Sequence, residues 1–517
     1  MQVRTYLLSL AVCCQLPLAA QKYWQQELHY EIRVALLESA RSLRGFEKLQ
    51  YVNRSPDTLH FIWFHLWPNA YKNKSTAFYL QMEQLGLRNL SPAGGPENGY
   101  MDSLLFRSGG NPLRVIPDSL NIDIVKVILP GPLVPGDSVT LTTPFFVKVP
   151  PYFSRLGHDG ESFYISQWYP KPAVYDSYGW HPMPYLEQGE FYSEFGSFDV
   201  HITVPASYKV AATGQLLDQK ELSNYRAGGG SIPVGRNNPE SELADSARVT
   251  KTLEFTADRV HDFAWFADKQ FRIYYDTLRL PSGKIIDLFA FCRRRGNPAW
   301  TKSIGFMKDA ILHYSRWVGE YPYPVVKAVE GPNNEGAGGM EYPMITLISE
   351  PAASPESLDG TLAHEIGHNW FYGALGSNER DHAWMDEGVN SYYEFRYEAE
   401  KYGNISTLPP ALTPEAPMSP EGLLKGVYEI IGRYPNNPGI DNPSTEFTER
   451  EYDFVVYYRG AWWMSVLEKA LGEDKFESGM HAYFRDWKFK HPYPSDMRKS
   501  LERNTGVSLR DVFRLLF

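Results

Sequence analysis

His364, Glu365 and His368 lie in the run Thr361-Leu362-Ala363-His364-Glu365-Ile366-Gly367-His368-Asn369-Trp370. On a helix, residues four apart share a face, so both imidazoles can reach one metal ion. Glu365 then stands beside them, placed to take a proton from a water held at that ion. This is the fingerprint of a zinc hydrolase, and a catalytic zinc normally takes a third protein ligand and keeps one position open. Glu387 follows His368 after 18 intervening residues, in Trp384-Met385-Asp386-Glu387-Gly388-Val389-Asn390, at the start of the next predicted helix. Two helices joined by a short connection would bring it alongside the histidines, completing a His, His, Glu set for one zinc per chain. The alternative third ligand needs a glycine at 371 and a histidine at 374; Phe371 and Ala374 stand there instead.

With these residues in view, the chain resembles the gluzincin zinc aminopeptidase family that includes membrane alanyl aminopeptidase and leukotriene hydrolase, in its bacterial exported branch. That family carries a Gly-x-Met-Glu-Asn motif upstream of the zinc helix, and Gly338-Gly339-Met340-Glu341-Tyr342-Pro343 occupies the corresponding place, with Tyr342 for the Asn. The resemblance implies that Glu341 binds the free α-amino group of a peptide and that Gly339 and Met340 line the substrate. It also implies that Tyr457, in Val456-Tyr457-Tyr458-Arg459-Gly460-Ala461, stabilises the oxyanion, with Tyr458 as the alternative. A second amine-binding acid is expected from the N-terminal domain. Glu161, nine residues before Pro170 of Gln167-Trp168-Tyr169-Pro170, is the candidate, and Gln167 the alternative. The implied activity is zinc-dependent removal of N-terminal residues from peptides with a free N-terminus. A zinc endopeptidase with the same ligands, or a non-catalytic interaction module on this scaffold, are the alternatives. Members usually continue into a further domain, whereas this sequence stops at Leu515-Leu516-Phe517 within an apolar helical pattern, as a short member or a truncated chain would.

Around the motif, Asn369 and Asp386 are candidates to orient the ligands from outside, and His382 matches no zinc template and reads as structural. Trp462-Trp463-Met464 reads as helix packing. The expected fold class is multidomain α+β, a β-sandwich-like N-terminal domain over 21–276 followed by a thermolysin-like catalytic domain over 277–517. Short strand patterns recur at Thr58–Trp67, Ile122–Leu129, Ser138–Val149 and Phe198–Val204, with Pro, Gly, Asp or Asn clusters between them. Arg226–Arg248 lacks apolar periodicity and reads as a surface insertion. Helices follow. Asn297 and Pro298 start one in which Trp300, Ile304, Met307, Ile311, Tyr314 and Val318 recur at helical spacing. Further helices are predicted near 355–375, 384–401, 422–431, 459–471 and 476–487.

The 517 residues are 43% apolar and 22% charged, enough to build packed cores and too apolar for wholesale disorder. Net charge is −10, with no basic run, so no nucleic-acid partner is expected. Residues 1–20 read as a signal peptide: Arg4, a short apolar stretch interrupted by Gln15 and Pro17, then Leu18-Ala19-Ala20. Export is therefore expected, with no membrane span in the mature chain and no lipid anchor at Cys13. Of the three cysteines, Cys13 and Cys14 would leave with the signal, so Cys292 stays as a lone thiol, expected in the core.

Overall fold

The computed structural model describes residues 23–87, 98–228, 249–293, 296–332, 338–350, 353–414, 419–435 and 437–517. The expected signal peptide, and most of the insertion expected at Arg226–Arg248, lie outside them.

The N-terminal domain is sheet-rich. In its large sheet the long strands run in the order Thr250–Val260, Gly196–Pro205, Glu27–Leu37, Ser42–Val52 and Ser138–Lys148. All neighbours are antiparallel except Glu27–Leu37 against Gly196–Pro205, which run parallel. Glu27–Leu37 alternates buried and more exposed residues along its length, the period-two signature of a sheet with one face in a core. On the inner face Tyr30 stacks on Phe198 at 4.3 Å, and Trp168 and Tyr169 fill the space beside them. Two four-stranded sheets complete the sandwich-like body, one containing Leu59–His65 and Ile124–Leu133, the other Ser162–Ile165 and Trp265–Asp268.

The second domain begins with a five-stranded mixed sheet: β1 (Arg272–Arg279), β2 (Ile285–Cys292), β3 (Val325–Glu330), β4 (Gly339–Tyr342) and β5 (Ile345–Ile348), in the order β1-β2-β3-β5-β4. Because β1 pairs with β2 over its whole length, this sheet starts at Arg272, inside the stretch expected to belong to the first domain up to 276. The strands β3, β4 and β5 fall between the helices expected up to Val318 and from Pro355, in a stretch for which the sequence suggested no element. Each is only four to six residues long, too short for a period to register.

Helices pack on the sheet: α1 (Ser303–Trp317), α2 (Pro355–Gly367), α3 (Glu387–Tyr402), α4 (Pro420–Gly432), α5 (Gly460–Leu471), α6 (Glu473–Trp487) and α7 (Pro494–Thr505). Ser354 caps α2 through its hydroxyl, which accepts from the Ser357 amide, and Pro355 takes the first turn. The helix ends at Gly367, short of the expected 375, because the chain turns back after His368 and the Gly373 amide donates to the His368 carbonyl at 2.7 Å. Cys292 is buried at the end of β2, and burial pushes its thiol well above the usual range. No helix among the described residues is long and apolar enough to cross a membrane.

Candidate metal centre

The carboxylate and the two imidazoles singled out by spacing meet at the junction of α2 and α3. His364 Nε2 and His368 Nε2 are 3.0 Å apart, and Glu387 Oε2 lies 3.2 Å from the first and 3.4 Å from the second. Tetrahedral zinc with ligands at about 2.0–2.1 Å needs its donor atoms about 3.3 Å apart, so this triangle has the required size. Glu387 is the first residue of α3, as its place in the sequence suggested.

The outward nitrogens of both histidines are held by carboxylates. Glu394 Oε2 stands 2.8 Å from His364 Nδ1, and Asp386 Oδ1 2.5 Å from His368 Nδ1, leaving each Nε2 free to face an ion. Asp386 thus orients a ligand as expected. Asn369 acts elsewhere: its Oδ1 accepts from the Met344 amide in the β4–β5 turn, and its amide donates to the Ile366 carbonyl. Asn390 Nδ2 donates to the His364 carbonyl at 2.7 Å and Asn390 Oδ1 accepts from the Tyr314 hydroxyl of α1 at 2.9 Å, which ties three helices together beneath the site. His382 bonds Asp441 at 2.7 Å, the structural role anticipated for it. Trp463 is fully buried against Trp384 and Phe513.

Electrostatics follow from crowding acids and imidazoles out of water. Burial works against protonation of His364, but Glu394 and Glu387 outweigh it and hold the ring up at about 10. Burial alone would raise Glu387, yet the two histidines bring it well below the ordinary carboxylate range. Such a pocket of negative charge is what a divalent ion neutralises. Burial pushes Glu365 up to about 7 against the pull of His364 and His368, a value suited to a group that takes and returns a proton near neutrality. Glu365 rests over β4, where a Cβ on Gly339 would lie 2.2 Å from its carboxylate, so only glycine admits it.

His364, Glu365, Glu387 and Glu394 line a cavity of about 340 Å³ between the domains, with His368 buried behind them. Gly339, Met340 and Glu341 form one wall on the edge strand β4, and Tyr457 and Tyr458 face them. Tyr457 sits in a π-helical turn, Asp453–Arg459, just before α5, and its hydroxyl donates to Glu387 Oε1 at 2.7 Å. Burial, then the nearby Glu387, keeps that phenol protonated and therefore a donor. Tyr458 also reaches the cavity, stacked near Phe395.

Glu161 is not brought to the site. It stands in the turn between Gly157–Asp159 and Ser162–Ile165, with a side chain 63% exposed and paired with Lys269 at 2.7 Å. Gln167 is committed to the core of the N-terminal domain, bonded to Asp262 and Lys171. The acid that the N-terminal domain does contribute is Glu190, held by Arg155, and both line the cavity with Glu341. Glu190 lies in Gly189-Glu190-Phe191-Tyr192, and counting back from Pro170 could not have reached it. Glu394 was missed too, although it lies seven residues after Glu387 on one face of α3, a spacing that could have revealed it.

Residues 307–515 match the Peptidase family M1 domain. Glutamyl aminopeptidase of Rattus norvegicus is 25% identical over 204 residues, 37% of this chain and 21% of its own length. Aminopeptidase A of Gloydius brevicauda is 26% identical over 163 residues, 31% of this chain and 16% of its own. This chain therefore matches about a fifth or less of the length of these two curated relatives. Among solved structures, an M1 zinc metallopeptidase from Deinococcus radiodurans superposes over 95% of this chain and 92% of its own, with a TM-score of 0.62 at 17% identity. Legionella pneumophila aminopeptidase A, in complex with aspartic acid, superposes over 96% of this chain and 50% of its own, with a TM-score of 0.64 at 12% identity. Both share the fold of this chain, the expected α+β architecture of a sheet-rich domain followed by one of mixed sheet and helices.

Proposed function

We propose, from the premise that this chain belongs to the gluzincin aminopeptidases through the M1 domain in residues 307–515, that it is a zinc aminopeptidase cleaving single residues from peptides with a free N-terminus. The observation that carries this reading is the convergence on one cavity of the His364, His368 and Glu387 triangle with two further acids, Glu341 and Glu190, from different domains.

His364, His368 and Glu387 would hold the zinc, which when bound supplies a Lewis acid for the scissile carbonyl and acidifies water. Glu365 takes the proton of the attacking water and delivers it to the leaving amine. Tyr457 offers its hydroxyl to the developing oxyanion once substrate competes with Glu387 for it. Glu341 and Glu190 receive the ammonium of the substrate's first residue, and Arg155 fixes Glu190 for that task. The edge strand β4, where it lines the cavity, offers backbone groups to an extended peptide. A complete and oriented ligand set speaks for an enzyme over an interaction module. The apolar stretch in residues 1–20 supports export of the mature chain, to be checked by N-terminal sequencing of protein recovered outside the cytoplasm.

The test is a panel of aminoacyl fluorogenic amides and matched N-acetylated peptides, assayed with chelator and after zinc restoration. Turnover should vanish with chelator and return with zinc, and the free amine should be preferred. Glu341→Ala and Glu190→Ala should each reduce that preference at least tenfold, by about the free energy of a charge-assisted contact, whereas Glu161→Gln should leave it intact. Equal cleavage of acetylated peptides by the unaltered protein would instead make it an endopeptidase.

A further inference from the structure

Beside His368 three carboxylates converge; Asp386 bonds the His368 ring, and among the described residues no lysine or arginine forms an ion pair with any of the three. One oxygen each from Glu341, Glu379 and Asp386 lies within 4.8 Å of the other two. Glu379 is fully buried, and neither of its oxygens has a hydrogen-bond partner among the described residues. Glu341 Oε1 and Asp386 Oδ2 are equally unpartnered. Arg380, the cation next in sequence, directs its guanidinium to the carbonyls of Pro184 and Gly189 and forms no ion pair with Glu379. A buried, unpaired carboxylate is costly, and three sharing one small volume are relieved by positive charge among them, brought by bound protons or by a cation. The substrate ammonium is not that charge, because Glu379 and Asp386 do not line the cavity; only Glu341 does, with its carboxylate standing between the two spaces.

We propose that Glu341, Glu379 and Asp386 bind a second, structural cation: a hard, oxygen-seeking ion of calcium's size. Ions of that class take carboxylate oxygens at about 2.3–2.6 Å, so ligand atoms up to roughly 5 Å apart fit one coordination sphere, whereas magnesium at about 2.1 Å draws them closer. Bound there, the ion holds from behind both the acid that orients His368 and the acid proposed to receive the substrate's amine. The inference rests on the aminopeptidase reading only for that last role, and its test is run without substrate, so that failure of either leaves the other standing.

Zinc-loaded protein, freed of other cations, is titrated with calcium chloride while bound calcium per chain and the thermal midpoint are followed, with sodium and magnesium arms in parallel. One calcium is expected beyond the one zinc, with a midpoint that rises with calcium as binding to the folded state requires. Glu379→Gln should keep one zinc, lose the calcium and lose the dependence of the midpoint on it. Calcium-soaked crystals of the unaltered protein should show one anomalous peak between the three carboxylates, a readout that needs no variant to fold. Sodium held at the same place in calcium's stead supports the site. Retention of neither ion, selective retention of magnesium, or undiminished calcium uptake by Glu379→Gln overturns it.

Discussion

Glu365 has the neighbours that its proposed task needs and few others. It sits beside both metal-ligand histidines, over a glycine that leaves it room, with Thr346 Oγ1 3.4 Å from one oxygen. Glu365→Gln keeps the shape and removes the base, so zinc content should stay near one per chain while kcat on aminoacyl amides falls about 10²–10⁴-fold. Unchanged turnover alongside intact zinc would remove the base assignment. At this scale the motif was readable because it is local: one helical turn sets the spacing of His364, Glu365 and His368 whatever the rest of the chain does. Glu161 shows the limit of such counting. Its distance from Pro170 was right by pattern, yet the hairpin it caps points it toward Lys269 and solvent.

Among the elements, the decisive contact is where the start of α3 meets the π-turn and the start of α5. A Cβ on Gly388 would lie 2.6 Å from the Val456 carbonyl and 2.8 Å from the Gly460 Cα, backbone that cannot swing aside. The approach places Glu387 within reach of Tyr457. Gly388→Ala should therefore cost about 1–3 kcal/mol in chemical denaturation, as overpacking does, and lower kcat through the displaced pair. A variant as stable and active as the parent would show that the contact yields freely. Helices with a clear apolar stripe, such as α1, and well-capped starts, such as Asn297-Pro298, were visible in sequence. The short strands β3, β4 and β5 were not, because burial on all sides of β3 erases alternation and β4 holds only four residues.

For the whole molecule, the domains meet through buried polar contacts. Glu194 of the first pairs with His491 of the second at 3.1 Å, and Lys327 at the centre of the mixed sheet donates to the Gly214 carbonyl. Burial pushes the Lys327 ammonium down to about 7. The unfolded chain keeps its lysine protonated up to about 10.4, so between those values unfolding takes up a proton and this residue's contribution to stability rises with pH. Lys327→Met should flatten that rise, by at most about 1.4 kcal/mol per pH unit, in denaturant melts compared at pH 7.5 and 9.5; an identical slope in both proteins would contradict it. By itself the sequence determined the candidate metal-binding triad, the order of a sheet-rich domain before a helical one, and the place of Glu387 at a helix start, all of which follow from local spacing and periodicity. Only the tertiary structure decided which acids join the triad. Glu190 and Glu379 reach their places through domain docking and packing, and contacts between distant segments leave no periodic trace in the chain, whereas Glu394 shares a face of α3 with Glu387.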